Sequence, residues 1–356
     1  MTFSLIQSLP SEGVDIVGDV HGEIDALHDL VRVLGYDHQA RHPEGRSLVF
    51  VGDLCDRGPD SPAVVDWVRR RRDDGRVQCV LGNHELNLMR GQRKDGNDWF
   101  YGDVSEEGER YLPFAMLSKG EQHSVKAFFN NLPVALEGKG LRVVHAAWHS
   151  ASVTHLKTCV ARSMEVFDQI DHAFKLDIEN RTLASMALEE KQPWLDHLHH
   201  QHTPPPLLHM TGKWNAKLQM GNPIRVMTSG IEKETNTPFF AGGAWRFVER
   251  AAWWNDYQDT TPVVFGHYWR RWNRQTAQPR TAFGPNLFYG VEPDAWFGSA
   301  GQVFCTDFSV GGRFMERKNK VNAGFIGRLG ALRWPERDLY FDDGTCVPTH
   351  HFLGTK

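Results

Sequence analysis

Short apolar runs alternate with helical stripes along the N-terminal part of the chain. VDIVG at 14–18 reads as a buried strand, and EIDALHDLVRVLGY then sets Ile24, Leu27, Val31 and Leu34 on one helical face that ends at Gly35. SLVFVGD at 47–53 repeats the strand signal, and in SPAVVDWVRRRR Ser61 is the expected cap with Pro62 opening a helix. VQCVLG is a third apolar run, followed by the short helical ELNLMRG. Two consecutive strand–loop–helix units predict parallel neighbouring strands with right-handed crossovers. Their loops then gather at the carboxyl end of the sheet, where open α/β folds place their sites.

Further strands are predicted at 141–147, 261–267, 302–309 and 338–344. Residues 156–200 are mostly helical in pattern, and the prolines at 204–206 break them. The expected organisation is one domain over 1–356, with 150–225 a mostly helical insertion or cap that shapes specificity. Apolar residues make up 40% of the 356, ample for a core, and a formal net charge of −4 offers no basic footprint for general nucleic-acid binding. Cys55, Cys79, Cys159, Cys305 and Cys346 are scattered with no CxxC pair, which points to a reducing compartment rather than a disulfide framework or zinc ribbon. MTFSLIQSLPSEG has no basic start and no long apolar run, and no stretch approaches the ~20 apolar residues of a membrane helix. A cytoplasmic protein without membrane partners is expected.

The chemistry gathers at strand ends. GDVHGE carries Asp19 and His21, GDLCDRG carries Asp53, Asp56 and Arg57, and GNHE carries Asn83 and His84; HAAWH brings His145 and His149, and GH brings His267. Asp and His are ligands that divalent Mn, Fe, Zn and Co accept. Asp19 and His21 are two apart, so an extended chain would point both the same way. The flanking glycines permit sharp exits and close approach of the backbone. Each fragment alone is an ordinary turn, but matching polar residues after successive apolar strands form a site.

GDVHGE, GDLCDRG and GNHE, in this order, resemble the calcineurin-like metallophosphoesterases, and within them the phosphoprotein phosphatase branch of Ser/Thr phosphatases and diadenosine tetraphosphatases. The match is specific over about 14–90; later it rests on His145 and His267, and HAAWH stands where the branch usually has His-Gly-Gly. The resemblance implies a four-layer α/β/β/α sandwich of two mixed sheets, with two divalent metal ions at the strand ends, manganese foremost. It makes Asp19 and His21 ligands of the first metal, Asp53 the bridging carboxylate, and Asn83, His145 and His267 ligands of the second. It makes His84 the acid for the leaving group, Asp56 its orienting carboxylate, and Arg57 the phosphoryl grip. Two cations lower the pKa of a bridging water, which attacks phosphorus in line, while a histidine supplies the leaving oxygen's proton. A guanidinium fork matches two phosphoryl oxygens. The implied substrates are phosphomonoesters, phosphoproteins included, with a bis(5'-nucleosyl)-tetraphosphatase or other nucleotide phosphohydrolase as the alternative. A silent binding protein on the same fold is the non-enzyme alternative, disfavoured by the intact residue set.

A second phosphate-binding arginine is sought among Arg225, Arg246, Arg270 and Arg271. Trp245, Trp253, Trp254, Trp269 and Trp272 are candidates for stacking on a base, although core packing is the commoner use. HLHHQH at 197–202 reads as surface loop, and RRRR at 69–72 as the solvated end of a helix. Trp148 is expected to shape the pocket and His149 to stand behind the ligands, while Asp307 and Arg313 in CTDFSVGGR are expected near the site or in a structural turn. Glu85 has no chemical role to assign; a structural hydrogen bond is expected of it.

Overall fold

A computed structural model describes residues 3–353 apart from 95, 139, 273–277 and 282–283. Val14–Val17, Ser47–Phe50 and Val77–Cys79 pair in parallel, as the strand–loop–helix pattern predicts. Arg328–Trp334 adds antiparallel beside Val14–Val17, and Asp338–Phe341 and Cys346–Pro348 extend that edge. The second sheet runs Ile6–Ser8, Ala135–Glu137, Arg142–Val144, Val263–Phe265, Val303–Cys305 and is also mixed.

Side-chain alternation divides each strand between two cores. Ile16, Val49 and Val80 meet Leu136, Val143, Val264 and Phe304 between the sheets. Val17, Leu48 and Phe50 face the other way, into the layer that holds Leu27 and Leu30 of helix Ile24–Val33 and Val64 and Val68 of helix Ser61–Asp73. Asp15 interrupts the apolar pattern within this buried strand. It accepts from Tyr36 Oη at 2.8 Å and from Arg333 Nε at 2.8 Å, so its charge is paired.

The sequence pattern misses Ile6–Ser8, Ala135–Glu137, Arg328–Trp334 and the hairpin of Glu232–Ala241 with Ala244–Arg250. The first two have three residues each, too few for a period to register. The hairpin is polar along much of its length, and Gly242-Gly243 at its turn is the signal that was there to read. Ser150–Ser229 supplies five α-helices and, among the described residues, no strand. No helix among the described residues is long and apolar enough to cross a membrane. The cap expected at Ser61 is corrected: Asp60 Oδ1 accepts the Ala63 N–H at 2.9 Å, and Ser61 Oγ instead takes the N–H of Asp56 at 2.9 Å. A residue expected to start a helix thus shapes the loop before it.

Glu85 fastens the loops to one another. Buried on the first turn of Asn83–Met89, its carboxylate accepts the N–H groups of Gly82 (3.0 Å), Asp53 (2.9 Å) and Leu54 (2.8 Å). Three donors from two strand ends share one side chain, so the loop after Ser47–Phe50 and the loop after Val77–Cys79 cannot move apart independently. Each buried donor left unsatisfied costs about 1–3 kcal/mol. Glu85→Ala is therefore expected to lower unfolding free energy by at least about 2 kcal/mol in urea denaturation; a loss under about 0.5 kcal/mol, the usual range for a surface substitution, would contradict the clamp.

Candidate metal centre and phosphoryl cleft

The strand-end loops bring the predicted residues together. Asp53 Oδ2 lies 3.3 Å from His145 Nε2, 3.8 Å from His84 Nε2 and 3.9 Å from His21 Nε2. Asp53 Oδ1 accepts the His84 N–H at 3.0 Å, which holds the carboxylate against the following loop. Asp19 Oδ2 is 3.9 Å from His21 Nε2, and both Asp19 oxygens face the His267 N–H at 3.1 Å. Asn83 Oδ1 is 3.0 Å from His145 Nε2. Ligand atoms of Asp53, His145 and His267 lie within 4.8 Å of one another, and so do those of His21, Asp53 and His84.

The backbone that achieves this is not the extended chain expected at Asp19–His21. His21 has φ 47, and Asp53, Asp56, Arg57, His267, Trp269 and Ser309 also stand at positive φ, so seven of the eleven non-glycine residues in that region among those described cluster here. Such conformations cost roughly 1–3 kcal/mol each and persist where surroundings over-determine them. The side chains converge because the chain curls, not because alternate residues share a strand face. Glycine serves at points of contact: a Cβ on Gly82 would lie 2.3 Å from Asp53 Oδ1, and one on Gly266 2.0 Å from Asp19 Oδ1.

Hydrogen bonds at the far side of each ring fix which nitrogen faces the centre. His21 Nδ1 lies 3.0 Å from the Cys55 carbonyl and His145 Nδ1 2.8 Å from the Val51 carbonyl, so each Nδ1–H donates outward and Nε2 turns inward. Burial, with Arg57 beside His21 and Arg250 near His267, holds both imidazoles well below the ordinary histidine range, neutral and with a lone pair to give. His145 differs: burial opposes its charge, but Asp53 holds it up at about 10. Burial and the nearby Asp307 push Asp19 up, whereas Asp53, despite burial, is drawn down by His145 and His84.

This donor set fits divalent cations. His267 Nε2 is buried with no hydrogen-bond partner among the described residues, and a ring nitrogen of His267 lies within 4.8 Å of the ligand atoms of Asp53 and His145. At His145 Nε2 two acceptors, Asp53 Oδ2 and Asn83 Oδ1, converge, and a cation satisfies all three atoms as a proton does.

His84 stands at the edge of the cluster. Its Nδ1 is 2.5 Å from Asp56 Oδ2, and Asp56 Oδ1 accepts from the buried Trp99 Nε1 at 2.6 Å. With Nδ1 so held, Nε2 faces the small cleft that Asp53, Arg57, Asn83, His84, Arg250, His267 and Trp269 line. Arg57 reaches His21 Nε2 at 2.9 Å with its guanidinium over Trp269, 4.9 Å from the ring centre.

Arg250 is the cleft residue that the sequence reading missed. It ends the second hairpin strand and, among the described residues, forms no ion pair. None of the four arginines considered from sequence lines the cleft. Arg225 pairs with Asp171 at 2.6 Å, and Arg246 bonds the Ala241 carbonyl at 2.9 Å, four residues short along the same strand. Arg270 is buried against the Ala295 carbonyl at 3.1 Å and Phe297, Phe304 and Phe308, while Arg271 is exposed.

Other expectations divide. Trp148 is covered by Arg142, 4.7 Å from its ring centre, and does not line the cleft; His149 Nδ1 pairs with Ser152 Oγ at 2.7 Å. Asp307 does lie beside the centre, accepting the Trp269 N–H at 2.6 Å, whereas Arg313 pairs away from it with Asp342 at 2.6 Å. Trp253 and Trp254 pack with Phe265, and Trp272 with Phe341, as core rings do. Arg69 and Arg70 of the basic run pair with Asp66 on their own helix.

Comparisons with known proteins bear on this centre. The family profile of calcineurin-like phosphoesterases matches residues 14–267. The asymmetrical bis(5'-nucleosyl)-tetraphosphatase PrpE of Oceanobacillus iheyensis is 33% identical over 154 residues, which cover 40% of this chain and 58% of the relative. The PrpE of Bacillus subtilis is 37% identical over 121 residues, 33% of this chain and 48% of the relative. The matches thus span less than two thirds of those relatives. Among solved structures, the cold-active protein-tyrosine phosphatase of a Shewanella species aligns over 97% of this chain and 83% of that one, at 14% identity and a TM-score of 0.45. With the profile match covering the strand-end residues from Asp19 to His267, this chain belongs to the calcineurin-like phosphoesterase family.

Proposed function

We propose that this protein hydrolyses dinucleoside polyphosphates at a centre of two divalent cations, manganese foremost, in the cytoplasm. The observation that carries the reaction is the position of Asp53, whose Oδ2 stands within 3.9 Å of three inward-facing imidazole nitrogens. Asp19, His21 and Asp53 would hold one cation, and Asp53, Asn83, His145 and His267 the other. When bound, the pair supplies Lewis acidity toward the phosphoryl oxygens and a nucleophile at neutral pH. Arg57 and Arg250, which both line the cleft, bind and orient the phosphoryl group. His84 places a proton at the leaving oxygen from Nε2, with Asp56 and Trp99 fixing the ring. Of the substrate classes left open by the sequence, the names of the tetraphosphatase relatives favour the dinucleoside polyphosphates over phosphomonoesters and phosphoproteins. Five free cysteines, three of them buried, suit a reducing compartment. Residues 150–225 form a helical cap on a single domain in this reading.

Metal analysis of the purified protein reconstituted with Mn²⁺ is expected to give about two ions per chain. Asp53→Asn should fall below one ion and lose at least about 10³-fold in kcat, the scale of a catalytic metal's contribution. Full metal content together with near wild-type turnover in that variant would sink the bridging role. His84→Asn is expected to slow diadenosine tetraphosphate cleavage roughly 10²–10⁴-fold. Its effect on p-nitrophenyl phosphate, whose leaving group scarcely needs a proton, should be at least about tenfold smaller. Equal losses on the two substrates would remove His84 from the acid role.

A further inference from the structure

A second and larger cavity, ≈ 450 Å³, lies between helices Ile178–Lys191 and His209–Met220 and the hairpin Glu232–Arg250. Ligand pockets commonly measure about 300–1,000 Å³, so this one has the size for a nucleoside with attached phosphate. Its wall is aromatic on one side, at Trp245 and Phe247, and cationic at Lys191 and Arg246. Trp245 is half-buried and set in place, with its indole N–H donated to the His200 carbonyl at 3.0 Å and its ring 5.8 Å from that of Phe240. A fixed indole face beside cations is suited to a flat base carrying negative charge.

Two chain segments join this cavity to the catalytic cleft. Glu232 lines the cavity and is the ladder partner of Arg250, which lines the cleft. Facing Cα atoms in an antiparallel ladder are about 4.5–5.5 Å apart, so the two spaces are one rung from each other. On the other side, Lys94 lines the cavity, and the carbonyl of Gly96 in the same loop accepts the Arg57 N–H at 3.0 Å. Arg250 is therefore carried on a strand that also borders the cavity, and Arg57 is hydrogen-bonded to a loop that does. Arg246 and Arg250 are four residues apart on one strand, about 13 Å at about 3.3 Å per residue. The carboxyl of Glu232 registers both: burial raises its pKa, and Arg250 and Arg246 draw it back.

We propose that this cavity holds one nucleoside end of a dinucleoside polyphosphate, its base against Trp245 and its phosphate chain led past Arg246 to Arg250 and the cleft. The assignment rests on the substrate class proposed above. It also gives the helical segment 150–225 a task, since helix His209–Met220 and the last residue of helix Ile178–Lys191 line the cavity. The nucleoside contact raises affinity without touching the reacting phosphorus, so its loss belongs in KM.

The test compares diadenosine tetraphosphate with p-nitrophenyl phosphate on the full-length, Mn²⁺-loaded protein. Trp245→Ala is expected to raise KM for the dinucleotide roughly tenfold, in keeping with the loss of one base stack, and Trp245→Phe to recover most of it. Arg246→Ala, at an exposed position that folding tolerates, should raise the same KM at least about threefold, as loss of one charged phosphate contact does. Both variants should keep kcat/KM for p-nitrophenyl phosphate within about twofold, the scale of a surface change without active-site consequence. An unchanged dinucleotide KM in both variants, or an equal loss on both substrates, overturns the cavity assignment alone. A wild-type protein that cleaves p-nitrophenyl phosphate but not diadenosine tetraphosphate overturns the substrate class and this assignment with it.

Discussion

Beneath the loop that carries Asp53, the carboxylate of Glu85 collects the N–H groups of Gly82, Asp53 and Leu54. Those donors belong to the ends of two neighbouring parallel strands, and the next residues outward are Asn83, His84 and Asp53 itself. The spacing between the Asp53 carboxylate, the Asn83 amide and the His84 imidazole is thus set by one buried side chain that takes no part in the proposed chemistry. Burial and the nearby Asp53 raise its pKa to about 7, the cost of keeping two carboxyl groups close in a dry interior. The backbone donors offset that cost, and cations at Asp53 would offset it further.

The same economy of position runs through the centre. Asp19, His21, Asp53, His84, His145 and His267 are all buried, and together they place acids and imidazoles where solvent cannot screen them. Such a cluster is stable only if each lone pair and each charge finds a partner. The backbone carbonyls of Cys55 and Val51 settle the outward nitrogens of His21 and His145, and Asp56 with Trp99 settles His84. What is left over, the grouping of Asp53, His145 and His267 and the convergence of acceptors at His145, is what divalent cations would satisfy.

Much of this was legible in the sequence because the strand ends are local. Apolar runs followed at once by Gly-Asp, Gly-Asn-His or His fixed both the parallel strands and the residues at their tips, and the resemblance of GDVHGE, GDLCDRG and GNHE to one family supplied the roles proposed for them. What failed depended on distance. Arg250 sits on a polar hairpin whose place beside Arg57 depends on how the helices Ser150–Ser229 fold back, and no period in the sequence encodes that. The tryptophans near it look alike in sequence, yet Trp253 and Trp254 are core, Trp269 lines the cleft and Trp245 lines the larger cavity. Asp19 and His21 were read correctly as neighbours for a geometric reason that does not hold, since His21 turns at positive φ instead of extending.

In the proposed function Asp53 is a carboxylate shared by two cations. Low-temperature electron paramagnetic resonance of the Mn²⁺-reconstituted protein tests this directly, because two Mn²⁺ ions joined by a bridging carboxylate are exchange-coupled. The expected result is the broad, multiline signal of a coupled pair in the wild type and its replacement by an isolated six-line Mn²⁺ signal in Asp53→Asn. An uncoupled six-line signal from the fully loaded wild type, unchanged by that substitution, would contradict it.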